Sequence, residues 1–166
     1  MRPRNERSRI RIRIAVTLAF LSLVTVGGIL CYDGALVTDF SRKNIEPCLE
    51  YLFGTDWLGR NMLYRTLTGL SMSILIGVAA ALISAVIALF LGVMAATLGK
   101  KADSLICGCI DMVMGIPHIL LLILISYAMG KGLKGVVVGV ALSHWPSLAR
   151  VIRAEVLQLK ESPYIQ

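Results

Sequence analysis

Cys107, Asp111, Met114 and His118 recur at i, i+4, i+7 and i+11, a spacing that puts all four on one face of a continuous helix. Thiolate, carboxylate, thioether and imidazole are ligand types suited to a transition-metal or proton path. Along an ideal helix Asp111 and His118 are about 10.5 Å apart, too far to share one ion without further ligands. The alternative is a satisfied polar stripe. An ionisable group inside a spanning helix costs at least about 2.5 kcal/mol to insert, so it turns to a bundle interior, a cavity or a partner. Cys107 and Cys109 point about 200° apart around a helix and make no metal clip. The four cysteines, at 31, 48, 107 and 109, suggest no disulfide framework. Pro117 beside His118, and Pro146 beside Trp145 and His144, each interrupt the backbone ladder. Such breaks occur near transport sites, and equally as simple packing kinks. No G-x-x-x-x-G-K-[ST] phosphate loop occurs, since "LGKKAD" has lysines without the loop or hydroxyl residue. No nucleophile, base and orienting residue come together either, so nothing points to an enzyme.

The elements that must position these residues are apolar. The 166 residues are 57% hydrophobic and 16% charged, against roughly 25% charged in an ordinary soluble domain. The mean hydropathy is +0.77. Ile14 to Tyr32 is an uncharged run of 19 residues, Thr66 to Gly99 one of 34 and Met112 to Gly130 another of 19; Gly135 to Ala149 is a weaker fourth. About 20 apolar residues cross a bilayer, so the chain reads as an all-α membrane protein with four spans: 14–32, about 73–98, about 105–129 and about 135–150. A cleaved leader is the lesser reading of the first, because its apolar run is long and no A-x-A-like site follows. The second span carries rows of small residues, Gly77, Ala81 and Ala85, and Ser84, Ala88, Gly92 and Ala96, which let backbones approach closely in lipid. The fourth is short, and a kinked helix is expected to run on into "RVIRAEVLQLKE".

Charge placement gives an orientation, because Lys and Arg favour the cytoplasmic side. Residues 1–13 carry six arginines against Glu6, a net of +5, and form a basic cytoplasmic tail. Residues 33–67 carry four basic and five acidic side chains, a net of −1, and form an extracytoplasmic loop. Lys131 and Lys134, in an outer turn, run against the rule, which the amino-terminal bias outweighs. The pI near 9.5 follows from this topogenic charge and some attraction to anionic lipid; no nucleic-acid partner is implied. In "FGTDWLGRNMLYRTLTG", residues 53–69, local physics suggests Asp56 as a helix N-cap, Arg60 as its partner one turn on and Gly59 as a point of close approach.

Three segments in order resemble one family, the second of the paired permeases of binding-protein-dependent ABC importers of the dipeptide, oligopeptide and nickel type. "FGTDWLGRNMLYRTLTGLSMSILIG" resembles the family's F-G-T-D-x-x-G-R-D segment through Phe53, Gly54, Thr55, Asp56, Gly59 and Arg60, with Asn61 where Asp is usual. "DMVMGIPHILLLILI" resembles D-x-x-x-x-F-P-x-L-L-L, with Ile116 in place of Phe, and "HWPSLARVIRAEVLQLKESPYIQ" resembles W-P-x-x-A-R-x-x-R-x-E-x-L-x-L-x-E. The resemblance implies a type I ABC importer permease of six spans in a prokaryotic inner or plasma membrane, working by alternating access. It implies a second homologous permease, two ABC ATPases that bind the ATP and Mg2+, and an extracytoplasmic substrate-binding protein. No cofactor is expected in this chain. Asp111, Pro117, His118, Trp145 and Pro146 become candidates for the translocation path. Glu161, Ser162, Pro163, Tyr164, Ile165 and Gln166 match the start of the loop that couples to the ATPase. Residues 68–166 then form an incomplete permease core, and the chain is expected to be a fragment or a truncated, non-transporting polytopic product. Peptides, nickel and metal chelates all stay open as cargo.

Overall fold

The computed structural model describes residues 4–130 and 132–161, and the described residues are helical without a named strand. They form α1 (Arg4–Leu30), a short α2 (Tyr32–Leu36), a 3-10 turn at Phe40–Arg42, α3 (Met62–Thr97), α4 (Lys100–Met114), α5 (His118–Ala128) and α6 (Leu133–Lys160). The chain divides into two compact units, Met1–Leu75 and Ile76–Gln166, with the boundary inside α3. Three helical stretches are long and apolar enough to cross a membrane: Glu6–Leu30, Met62–Thr97 and Leu133–Lys160. The pair α4 and α5 makes a fourth if it is counted as one span. At about 1.5 Å per residue α3 is about 54 Å long, longer than a roughly 30 Å hydrocarbon layer.

The pair α4 and α5 covers the stretch expected as a span over about 105–129, with a full break at the interruption read at Pro117. Its two helices meet at a 92° bend. The chain chemistry explains the break. Pro117 has no N–H to give and its ring excludes the preceding residue from helical geometry; here it takes φ −53° and ψ 126°, outside the helix. Gly115 closes α4, its N–H donating to the Asp111 carbonyl at 2.9 Å. Pro146 does not act this way, since α6 runs through it from Leu133 to Lys160. Its side chain is fully buried, with buried Ala141, Trp145 and Ala149 on the same helix, so it sits in the packed stretch of α6.

In the first unit, α1 and α3 approach at Gly28, where an added Cβ would lie 2.4 Å from the Leu67 carbonyl oxygen and from Ser71 Oγ. The Thr68 hydroxyl donates to the Gly28 carbonyl at 3.2 Å across the same contact. In the second unit the core is Ala88, Ala95, Ile106, Ile110, Trp145 and Ala149, so the carboxyl-terminal part of α3, α4 and α6 share it. Of the two small-residue rows of α3, Ser84, Ala88, Gly92 and Ala96 are buried, whereas Gly77, Ala81 and Ala85 are exposed. At Gly92 an added Cβ would come within 2.9 Å of the Ala149 carbonyl oxygen and of the Ile152 side chain. α5 packs on α6 through Gly135 and Gly139, with Ser126 Oγ donating to the Gly135 carbonyl at 3.1 Å.

Candidate functional site

The loop before α3 is built around one carboxylate. Asp56 Oδ1 accepts from the backbone N–H groups of Leu58 and Arg60, each at 2.9 Å, and Oδ2 accepts from Arg60 Nε at 2.9 Å. Arg65, on the first turns of α3, pairs with the same Oδ2. Partial burial on its own would raise the pKa of this group; the Arg60 backbone and side-chain bonds and the Leu58 N–H outweigh that and hold the carboxyl well below the usual range. Thr55 is buried and its Oγ1 accepts from the Ile45 N–H at 2.8 Å, which ties residues 42–45 to the motif. Gly54 and Gly59 both take positive φ, 69° and 75°. At Gly59 a Cβ would overlap the Asp39 carbonyl oxygen at 1.7 Å, so this is a point of close approach that admits no side chain. Phe53 and Trp57 are exposed.

Asp56 is not the helix N-cap that local pattern suggests. α3 starts at Met62, and the capping side chain is Asn61, whose Oδ1 accepts from the Leu63 N–H at 3.0 Å. The carboxylate of Asp56 is committed to the turn it closes. Asn and Asp cap helices about equally well, so Asn61 keeps the capping chemistry of the aspartate usual at this place in the family that the segment resembles.

In the second unit, the break at Pro117 opens a cavity of about 540 Å³ lined by Met114, Gly115, Pro117, His118, Ser143 and His144 among others. His118 begins α5 and His144 lies on α6, and their rings meet edge to face with centroids 4.7 Å apart. Trp145 and Pro146, expected on the path, instead face the core: Trp145 belongs to the buried cluster and Pro146 is fully enclosed. The neighbouring His144 takes the cavity position. The signal for it was available, since the chain has only two histidines, although nothing in the spacing says that they meet.

The polar stripe is also dismantled by the bend, because Cys107, Asp111 and Met114 stand on α4 and His118 on α5. Asp111 pairs with Arg150 of α6. Cys107 donates its thiol to Asp103 Oδ1 at 3.4 Å, and Asp103 receives Arg153 through both Nε and Nη2, the latter to Oδ2 at 2.6 Å. Two acidic residues of α4 are thus matched by two arginines of α6. Among the described residues no group of three or more His, Cys, Asp or Glu side chains is placed to hold one metal ion. Of the expected coupling residues, Glu161 follows α6 in a turn and is exposed; Ser162, Pro163, Tyr164, Ile165 and Gln166 lie outside the described residues.

Residues 88–166 match the family described as binding-protein-dependent transport system inner membrane component. The chain is 32% identical over 150 residues to the dipeptide transport system permease protein DppC of Bacillus subtilis, covering 90% of this chain and 47% of that protein. It is 33% identical over 132 residues to the oligopeptide transport system permease protein OppC of the same organism, covering 76% and 43%. A putative peptide transport system permease protein of Brucella suis is 39% identical over 119 residues, covering 72% and 40%. The chain spans about half the length of the curated relatives it matches.

Proposed function

We infer that this chain, which belongs to the family of binding-protein-dependent transport system inner membrane components, supplies transmembrane helices to the translocation pathway of a peptide importer. The likeness to a dipeptide permease over 90% of the chain carries this reading. Transport would proceed by alternating access, with ATP hydrolysed on two separate ABC subunits, a second permease completing the pathway and an extracytoplasmic binding protein delivering cargo. The broken pair α4 and α5 beside a cavity suits such a role, since discontinuous helices are a recurring way to line a substrate path. The net charge of +5 over residues 1–13 supports a cytoplasmic amino terminus in a prokaryotic inner or plasma membrane. Peptides are the favoured cargo because the relatives carry peptide transport in their names; nickel and metal chelates are the competing cargo.

The test is uptake. Disrupting the gene in its native cell, then supplying labelled di-, tri- and oligopeptides and Ni2+ one at a time, is expected to abolish accumulation of a peptide class, with recovery on restoring the gene. Loss of nickel uptake alone would replace the cargo assignment. Unchanged accumulation of every compound would leave a non-transporting membrane protein as the reading.

A further inference from the structure

We propose that His118 and His144 form a binding site for a late first-row divalent transition-metal ion at the break between α4 and α5. Both histidines of the chain are in it. They come from different helices, 26 positions apart in sequence, and face one cavity with ring centroids 4.7 Å apart and ring planes at 89°. Two imidazoles in neighbouring positions of one such ion, each nitrogen about 2.0 to 2.1 Å from it, hold their centroids roughly 4.5 to 5.2 Å apart. The observed separation lies inside that interval.

The hydrogen bonding of His144 gives independent support. Its Nδ1 lies 2.8 Å from the Val140 carbonyl oxygen, an atom that only accepts, so Nδ1 is the donor there and Nε2 is the nitrogen that offers a lone pair in the neutral ring. Metal-binding imidazoles are held in this way, the far ring N–H donating to a carbonyl or carboxylate that fixes tautomer and orientation. The thioether of Met114 and the hydroxyl of Ser143 line the same cavity. Two imidazoles leave the remaining coordination positions to water or to donors brought with the ion. An open site of that kind exchanges its ion readily, as a station on a path must. The binding stands apart from the importer reading, whereas any part it plays in cargo movement rests on that reading.

The experiment uses the untagged 166-residue chain in lipid nanodiscs, labelled with 15N in its histidine rings and titrated with Zn2+. Only two ring systems contribute to the spectrum. The expected result is that both Nε2 resonances shift along one saturation curve, and that His118→Ala weakens the Zn2+ response of His144 by about tenfold or more, as does the reciprocal variant for His118. Two unrelated curves, no shift of either ring at millimolar Zn2+, or a His144 response indifferent to His118→Ala overturns the site. The wild-type titration decides the matter even if a variant fails to fold, and peptide uptake can fail or succeed without changing it.

Discussion

At the scale of single residues, Asp56 is the side chain on which the loop before α3 depends, since one carboxylate serves two backbone N–H groups and two guanidinium groups. Asp56→Ala leaves all of them without an acceptor, and protease nicking between residues 37 and 61 is expected to quicken by about tenfold or more. The pH dependence has a definite sign. A carboxyl held below its ordinary value in the folded loop contributes stability that is complete above the unfolded value of about 3.9 and is lost as pH falls further toward the folded value. Nicking should therefore rise between pH 5 and pH 3, and Asp56→Asn should shrink the difference. For Asn61 the expectation is the reverse in kind: Asn61→Asp keeps the cap, whereas Asn61→Ala costs about 1 kcal/mol and speeds hydrogen exchange at Leu63 and Tyr64. Equal exchange in the two variants would remove Asn61 as the cap.

At the scale of elements, the two helical faces of α3 make opposite predictions. Gly92→Leu drives a side chain into the Ala149 carbonyl and Ile152 and is expected to cost about 1 to 3 kcal/mol. Gly77→Ala meets nothing within 4 Å and should be neutral or stabilise by up to about 1 kcal/mol through helix propensity. Thermal unfolding in one detergent compares the two. Long apolar runs and the i, i+4 relation of Asp56 to Arg60 were legible in the sequence because each is local. The bend at Pro117 was legible only as an interruption. A proline removes one bond wherever it sits, but packing decides whether the helix survives the loss, and buried Pro146 stays inside its helix while Pro117 ends one. Asp103 with Arg153 and His118 with His144 join residues on separate helices, which no spacing rule connects. The helical stripe failed for the same reason, since its four residues share a face only if the helix is unbroken.

At the scale of the whole molecule, the proposed orientation places Cys48 outside the cell, in the loop between α2 and α3, where it is exposed. A membrane-impermeant maleimide should label Cys48 in intact cells; labelling that requires lysis would invert the topology. If the chain serves the importer proposed above, Asp103→Arg and Arg153→Asp are each expected to reduce uptake several-fold, and the double exchange to recover much of it. Failure of the exchange to recover anything would make the pair a local packing feature. Beyond Pro146, α6 is fastened at Ala149 against Gly92, at Arg153 to Asp103, and at Lys160, whose Nζ donates to the Ala96 carbonyl at 2.6 Å. These attachments bind the end of α6 to both α3 and α4. A torque applied near residue 160 is therefore borne by three helices as a single lever arm, with the bend at Pro117 left as the nearest fulcrum.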